Sequence, residues 1–405
     1  MNIGIIKETK NPKDNRVALT PKQIQLLQRR FPQVRFIVQP SEVRVFSNKD
    51  YEDVEVTVSN DLRECDVLFG IKEANINTLL PCKHYFFFGH IAKMQSYNRP
   101  LIRKMMELNI TFTDYEYLVD DNNIRLCAFG WWAGVVGVYN TLRAYGIRYK
   151  MFELPKPDKT LTLEYMISEA RKHNYLSLKI IITGNGRVSQ GAQYFLDSMG
   201  IKKVSLCRFL DSNEDDGNPC YIVLRLSELV YPIGNGKIFD RKDFKMNPTQ
   251  YKSSFLPYAR VADVFISCHF WQPDNPVYLS KSDWKDKSIK IKVIGDVTCD
   301  IEGSIESTIR SSTHDEPFYD YNPDTEQEEP AFSSDKNITV MAVDTLPNAL
   351  AKDTSNYFGE ALIKYVFEDI LSKNTDKTAL IQRATILENG KLTDKYSYLS
   401  DYALK

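Results

Sequence analysis

The feature that most constrains the fold is a strand, a glycine-rich turn and a helix that follow one another in "KIIITGNGRVSQGAQYFLDSMG", residues 179–200. Glycine permits the tight turn and lets the backbone approach a pyrophosphate, which the start of the helix then stabilises. One departure from the usual GxGxxG pattern is Ser189 at the third glycine position, with Gly191 two residues later. The segment predicts a dinucleotide site formed by Gly184, Asn185, Gly186, Arg187 and Val188.

The short apolar run 204–207, "VSLC", is predicted to be the next strand, and Arg208 follows it. In a dinucleotide fold the residue at this distance reads the adenosine ribose. A carboxylate would bind the 2′-hydroxyl, whereas arginine favours a 2′-phosphate. Arg208 therefore favours NADP(H), with NAD(H) possible. The alternative is a solvated surface arginine.

Short apolar runs alternate with helical patterns through most of the chain, which indicates βαβ units and parallel sheets. The predicted fold class is α/β, with two Rossmann-like domains whose parallel sheets are flanked by helices and a cleft between them. Residues 1–133 plus 340–405 are predicted to form a substrate and catalytic domain, and residues 134–339 a dinucleotide-binding domain. The polar stretches 212–260 and 311–335 are predicted to be irregular surface insertions.

Length and charge narrow the class of protein further. A chain of 405 residues favours two domains. The net charge of −1 argues against a nucleic-acid partner. No apolar run reaches the roughly 18 residues of a membrane span, and the start of the chain does not resemble a signal peptide. The seven cysteines are scattered, which is typical of reduced thiols. We expect a cytoplasmic protein without a metal site, for which a homo-oligomer is one option.

Two ionisable side chains are predicted to lie at the carboxyl ends of two strands of a sheet. Lys72 ends "VLFGIK" and His90 ends "HYFFFGH". Ligands of open α/β sheets bind at this edge. Arg16, in "NRVALTP", adds a cationic group after the first strand. Taken one at a time, such a histidine is more often a hydrogen-bonded core group, and such a lysine is usually solvated.

Several motifs together resemble a known family. "NRVALTP", "GIKE", "FFFGHIAK", "TGNGRVSQGAQ", "GDVTCDIEGSIE", "PFYDY" and "NGKLTDKYSYL" are similar to the alanine dehydrogenase and saccharopine dehydrogenase superfamily. Within it they look most like the lysine–ketoglutarate reductase domain of the aminoadipic semialdehyde synthases. The "DIEGSIE", "PFYDY" and C-terminal motifs are more specific than the glycine turn and separate this chain from simple alanine dehydrogenases.

The resemblance implies a role for each matching position. Lys72 and His90 would be the acid–base pair and Arg16 the carboxylate-binding arginine. Glu116 and Arg125 would line the substrate site, and Asp296 would lie near the nicotinamide. The implied reaction is the NADPH-dependent condensation of L-lysine with 2-oxoglutarate to saccharopine, or its reverse.

Two alternatives stay open from the sequence. One is another amino-acid dehydrogenase of the same superfamily, of the alanine or opine type. The other is a catalytically silent, nucleotide-binding homologue, against which the joint presence of the matching ionisable residues argues. In either enzymatic case the partners are small amino-acid and 2-oxo-acid substrates.

Overall fold

The computed structural model describes residues 1–211, 216–234, 236–371 and 379–404. The chain divides into two compact units. Residues 1–129 and 351–405 form the first unit, and residues 130–350 form the second. The boundaries predicted from the sequence were 133/134 and 339/340. Within the described ranges, no helix combines the length and the apolar character that crossing a membrane requires.

The strands are β1 Asn2–Ile5, β2 Arg35–Val38, β3 Thr57–Val58, β4 Val67–Phe69, β5 His84–Phe87, β6 Thr111–Asp114, β7 Lys179–Thr183, β8 Lys202–Lys203, β9 Cys220–Leu224, β10 Val230–Pro232, β11 Tyr251–Ser253, β12 Val264–Ser267, β13 Val293–Asp296, β14 Phe318–Asn322, β15 Gln327–Glu329, β16 Ile338–Met341, β17 Thr385–Glu388 and β18 Lys391–Leu392.

The α-helices are α1 Pro21–Arg30, α2 Asn48–Glu52, α3 Arg99–Glu107, α4 Gly130–Arg148, α5 Leu163–Ala170, α6 Arg187–Ser198, α7 Leu206–Leu210, α8 Leu226–Leu229, α9 Arg241–Met246, α10 Leu256–Ala259, α11 Ala351–Leu362, α12 Glu368–Leu371, α13 Ala379–Ala384 and α14 Ser400–Leu404. A π-helical turn, Ile363–Phe367, joins α11 to α12.

The first unit is built on a sheet with the strand order β18–β17–β6–β5–β4–β1–β2–β3. Its strands from β6 to β3 run parallel, and the C-terminal strands β17 and β18 add an antiparallel edge. The central strands are almost wholly buried, as expected where helices cover both faces of a parallel sheet.

The second unit is built on a sheet with the order β15–β14–β16–β13–β12–β7–β9–β8. The strands from β16 to β8 are parallel, and β14 and β15 form an antiparallel edge. Together with the first unit, this sheet confirms the predicted α/β class with two Rossmann-like units.

Local chemistry explains where several elements begin. Thr20 caps α1 by accepting the backbone N–H of Gln23, and Pro21 occupies the first helical position. The glycine-containing segment "GWWAGVVG" opens the 19-residue helix α4, most of which is buried, as its apolar composition predicts.

Three predicted features of the second unit are wrong. Residues 204–207 do not form a strand: β8 ends at Lys203, and Ser205 caps the helix α7. Within the stretch 212–260, the described residues are not an irregular insertion, because they supply the buried strand β9 beside β7, while 212–215 and 235 lie outside the described residues. The stretch 311–335 contains the hairpin β14–β15. In each case pairing with distant strands overrides a polar or ambiguous local composition.

Candidate functional site

Polar side chains follow four neighbouring strands of the first sheet. Glu8 comes after β1, Lys72 after β4, His90 after β5 and Glu116 after β6. These strands are adjacent and parallel in the order β6–β5–β4–β1, so their carboxyl ends share one edge. Ligands of parallel α/β sheets bind at such an edge. The first unit therefore brings three of the predicted residues to one edge and adds Glu8.

Glu116 is the centre of the charged cluster. Its carboxylate is 3.1 Å from Lys93 Nζ and 3.4 Å from His90 Nδ1, and it accepts a hydrogen bond from Arg125. Burial alone would raise the pKa of Glu116, but His90, Arg125 and Lys93 together lower it to about 2. Glu116 is therefore ionised at neutral pH and holds the two cations and the imidazole in place.

His90 is held in an unusual backbone conformation. Its φ of 51° and ψ of 17° lie in the left-handed region, which is uncommon for residues other than glycine. The side chain is about a quarter exposed, at 27%. Although His90 Nδ1 lies near Glu116 Oε2, neither atom forms a hydrogen bond within the described part of the chain. Both atoms are buried and face each other, so the Glu116 carboxylate orients the imidazole ring.

Asp114 supports the loop that carries His90. Its carboxylate accepts the backbone N–H of Gly89 at 3.1 Å and that of Glu116 at 2.9 Å. The side chain is fully buried, and this burial raises its pKa to about 7. Asp114 therefore fixes the backbone on both sides of the cluster and titrates near neutral pH.

Glu8 supports the loop that carries Lys72. Its two oxygens accept the backbone N–H groups of Ile71 at 2.7 Å and Lys72 at 2.9 Å. Burial, followed by the nearby charge of Asp14, raises the pKa of Glu8 to about 8. Lys72 is half-buried, and its charge in turn helps to lower the pKa of Asp14.

Arg16 is buried and already paired. Its Nε donates to Asp14 Oδ1 at 2.9 Å and its Nη2 to Asp14 Oδ2 at 2.5 Å, while the guanidinium lies 4.2 Å from the centre of the Phe129 ring. Burial disfavours the charged form of both side chains, but the attraction between them outweighs it. The pKa of Asp14 is therefore lowered and that of Arg16 is raised. A substrate carboxylate would have to bind the opposite edge of the guanidinium.

In the second unit the glycine turn follows β7 at the carboxyl edge of the sheet. Gly184 has a φ of +85°, and a Cβ there would lie 2.7 Å from the Cys268 carbonyl oxygen. A Cβ on Gly186 would meet nothing within 4 Å, and Gly186 is the residue that precedes the 12-residue helix α6. This open glycine at a helix N-terminus is a cradle that fits a pyrophosphate. Asn185, Arg187 and Val188 belong to the same turn.

Gly191 has a packing role that explains the departure from the glycine pattern. A Cβ on Gly191 would lie 1.9 Å from the Trp131 carbonyl oxygen, and one on Gly134 would lie 1.9 Å from the Val188 carbonyl oxygen. The helices α4 and α6 therefore touch through their backbones. Ser189 is buried at the position where the usual pattern has glycine.

Asp296 ends β13, and both oxygens of its carboxylate accept hydrogen bonds. It accepts hydrogen bonds from the hydroxyls of Ser267, Thr298 and Thr308 and from the backbone N–H groups of Thr298 and Cys299. Only 1% of the residue is exposed. Asp296 therefore fixes the loop after β13 at the same sheet edge as the glycine turn, rather than presenting a free carboxylate.

A cavity of about 200 Å³ lies beside the glycine turn, at the ends of β12 and β13. It is lined by Val188, Cys268, His269, Phe270, Trp271, Val297, Thr298 and Asp300. The sequence did not single out His269 as part of a site. Its ring nitrogens contact Thr183 Oγ1 at 2.6 Å and Ser304 Oγ at 2.8 Å, and burial lowers its pKa to about 4, so the ring is neutral.

Arg208 does not lie at the glycine turn. It is part of α7 and pairs with Asp216 at 2.7 Å. Both residues line a cavity with Lys179 and Cys220, the first residues of β7 and β9. The glycine turn follows the last residue of β7, so the structure places Arg208 towards the opposite edge of the sheet.

Sequence reasoning missed four residues of the first cluster, namely Glu8, Asp14, Lys93 and Asp114. Each is a single charged residue in or beside a loop, and none belongs to a periodic pattern. Lys93 offered the best signal, because it follows His90 by three residues in "GHIAK". Across the described residues, no three histidine, cysteine, aspartate or glutamate side chains are grouped as metal ligands.

Comparisons with known proteins place this geometry in context. Residues 4–136 match the family described as "Alanine dehydrogenase/PNT, N-terminal domain". Over 98% of its length, the chain is 31% identical to the alpha-aminoadipic semialdehyde synthase of Arabidopsis thaliana and 26% identical to the mitochondrial protein of Mus musculus. It covers 41% and 47% of those proteins, so it spans less than half of their length.

A relative of similar length and two solved structures also match. The saccharopine dehydrogenase (NAD(+), L-lysine-forming) of Schizosaccharomyces pombe is 24% identical over 88% of this chain and 89% of that protein. The solved L-alanine dehydrogenase has a TM-score of 0.63 at 13% identity, covering 99% of both chains. A transhydrogenase from Sinorhizobium meliloti has a TM-score of 0.61 at 12% identity, covering 97% of this chain and all of that one. At such identities these two structures show a shared fold.

Proposed function

We propose that this chain, a relative of the alanine dehydrogenases and the lysine-forming saccharopine dehydrogenases, is an oxidoreductase that forms or cleaves a secondary amine. The substrates would be L-lysine and 2-oxoglutarate, and the product saccharopine. The observation that carries the proposal is the cluster at the carboxyl edge of the first sheet, where Lys72, His90 and Glu116 follow neighbouring strands.

The reaction needs several proton transfers. The ε-amine of lysine adds to the ketone carbon of 2-oxoglutarate, the resulting hydroxyl leaves as water, and the imine is then reduced. We assign to His90 the protonation of the departing oxygen, because its side chain is partly exposed at the sheet edge and its ring is oriented by the Glu116 carboxylate, 3.4 Å from Nδ1. Lys72 would exchange the proton at the substrate nitrogen or oxygen.

Two buried carboxyls support a site for proton transfer. The pKa of Glu8 is raised to about 8 and that of Asp114 to about 7, both chiefly by burial. Such displaced pKa values are typical of active sites. Glu8 is hydrogen-bonded to the backbone of Lys72 and Asp114 to the backbone of Glu116, so each carboxyl adjoins a residue of the cluster.

The cations of the cluster suit a substrate that carries several carboxylates. Glu116 is already paired with Lys93 and Arg125, so we assign to it the positioning of these cations rather than the binding of the lysine ammonium group. Lys93 and Arg125 are each about half exposed and would bind carboxylate oxygens. Arg16 would add a carboxylate contact through the edge that Asp14 leaves open.

The second unit would hold the dinucleotide. The turn from Gly184 to Val188 would bind the pyrophosphate through backbone N–H groups, with Gly186 leaving room for its close approach. Loops at the ends of β12 and β13, fixed by His269 and Asp296, would surround the nicotinamide end. When bound there, the reduced nicotinamide would supply the hydride that converts the imine to the amine.

A spectrophotometric screen tests the proposal. Oxidation of NADPH and of NADH would be followed with 2-oxoglutarate plus L-lysine, L-ornithine or ammonia, and with pyruvate plus ammonia. We expect turnover with 2-oxoglutarate and L-lysine. Turnover with pyruvate and ammonia alone would indicate an alanine dehydrogenase instead, and oxidation with none of the pairs would contradict an amine-forming enzyme.

A further inference from the structure

We propose that Arg225, and not Arg208, determines the preference for NADP(H) over NAD(H) by binding the 2′-phosphate of the adenosine ribose. This inference rests on the proposed function, because it requires that the second unit binds a dinucleotide. It follows from the order of the strands in the second sheet, which differs from the order that the sequence predicted.

The strand beside the glycine turn is β9. It pairs with β7 along its whole length, from Lys179 opposite Cys220 to Thr183 opposite Leu224. The backbone N–H of Gly184 donates to the Leu224 carbonyl oxygen at 2.8 Å. Arg225 is the next residue, so it comes immediately after the residue of β9 that is hydrogen-bonded to the glycine turn.

This is the position that reads the ribose in dinucleotide-binding folds. There the residue at the end of the strand adjacent to the glycine strand contacts the 2′ substituent, and arginine accommodates a phosphate. The predicted candidate, Arg208, fails this condition, since β8 pairs with β9 and not with β7. Arg208 is also paired with Asp216, near the first residue of β9 rather than its last.

The side chain of Arg225 is free to bind an anion. It is exposed, and it makes no hydrogen bond or ion pair with the described residues. A guanidinium binds phosphate through two parallel N–H groups, which gives both affinity and geometric specificity.

One carboxylate nearby could oppose this role. Glu228 accepts a hydrogen bond from the backbone N–H of Arg225 and so caps the short helix α8. A carboxylate that faced the ribose would favour NAD(H) by binding its hydroxyls. The capping bond holds the Glu228 carboxylate against the backbone, which leaves the guanidinium as the group that distinguishes the two dinucleotides.

Equilibrium binding tests the inference without relying on turnover. NADPH and NADH would be titrated by their fluorescence, and 2′,5′-ADP by calorimetry, into the wild type, Arg225→Gln and the control Arg208→Gln. We expect Arg225→Gln to weaken NADPH and 2′,5′-ADP about 10- to 100-fold, the range for hydrogen bonds to charged groups. NADH affinity should stay within about twofold, and Arg208→Gln should bind all three ligands as the wild type does.

The outcomes separate this inference from the proposed function. Unchanged NADPH affinity in Arg225→Gln would overturn it, as would a loss of NADPH affinity in Arg208→Gln. The inference would also be overturned if the wild type prefers NADH and the variant Glu228→Gln binds NADPH more tightly than the wild type does. Glu228 would then be the residue that contacts the ribose. A wild type that binds neither dinucleotide would contradict the proposed function itself.

Discussion

At the scale of single residues, the charged cluster of the first unit combines groups whose pKa values are moved in opposite directions. Glu116 is kept ionised by the cations around it, whereas Glu8 and Asp114 are raised towards neutrality by burial. Environments that separate the pKa values of like groups are typical of acid–base sites. The two predictions at this scale concern His90 and Glu116.

The first prediction is that His90→Ala lowers kcat by about 10²- to 10⁴-fold, the usual range for a general acid–base group. The matched control is His173→Ala, which removes a histidine that stacks on Phe152 in the second unit and should leave kcat nearly unchanged. Steady-state kinetics at the pH optimum of each variant make the comparison. Near-normal turnover of His90→Ala would remove this residue from the mechanism.

The second prediction concerns the pH dependence of stability. The pKa of Glu116 in the folded state, about 2, lies below its unfolded value of about 4.5, so its stabilisation is present above pH 4.5 and is lost as the pH falls towards 2. Glu116→Gln should therefore be less stable than the wild type at pH 7, by up to about 3 kcal/mol. This difference should shrink below pH 4.5.

Urea unfolding between pH 7 and pH 3 measures that difference in the free energy of unfolding. The control is Glu107→Gln, which alters an exposed pair with Lys104 and should change the free energy by less than about 1 kcal/mol at either pH. A Glu116→Gln variant that is as stable as the wild type at pH 7 would show that the ion pairs of Glu116 contribute nothing.

At the scale of elements, the glycine turn was predictable and the strand beside it was not. A β-branched run followed by glycines and a helical pattern marks β7 and α6 locally. The run "YIVL" is too short for periodicity to separate a strand from a helix, and it lies in a polar stretch. Its place beside β7 depends on pairing with residues about forty positions away. For this reason local sequence patterns point to Arg208 rather than Arg225 as the residue that reads the ribose.

The third prediction separates the two roles of glycine in this region. Gly186→Ala should leave stability unchanged or raise it by up to about 1 kcal/mol, because a Cβ there meets nothing within 4 Å and its φ of −82° suits alanine. Its affinity for the dinucleotide should fall about tenfold, since the methyl group would keep the pyrophosphate from the backbone.

Gly191→Ala is the matched variant for packing. Its Cβ would overlap the Trp131 carbonyl oxygen, so we expect a loss of about 1–3 kcal/mol or more of stability. Thermal unfolding and NADPH titration of both variants make the measurement. If Gly186→Ala binds NADPH as tightly as the wild type, the turn does not hold the pyrophosphate.

At the scale of the whole molecule, the sequence predicts two α/β units. In the structure the first unit also contains the C-terminal residues 351–405. The roles expected for Lys72, His90 and Arg16 rest on the family resemblance and on the position of each residue after a predicted strand. Glu8, Asp14 and Asp114 could not be found in this way, because their importance arises from burial and from contacts with other loops. We propose that the first unit binds the substrates and transfers protons, and that the second unit binds the dinucleotide.

The most direct test of this account is to identify the product. The protein would be incubated with NADPH, 2-oxoglutarate and L-lysine labelled with ¹⁵N at the ε-position, and the products followed by mass spectrometry. The account predicts saccharopine that retains the label, formed in a one-to-one ratio with the NADPH oxidised. NADPH oxidation that yields glutamate or no labelled secondary amine would contradict it.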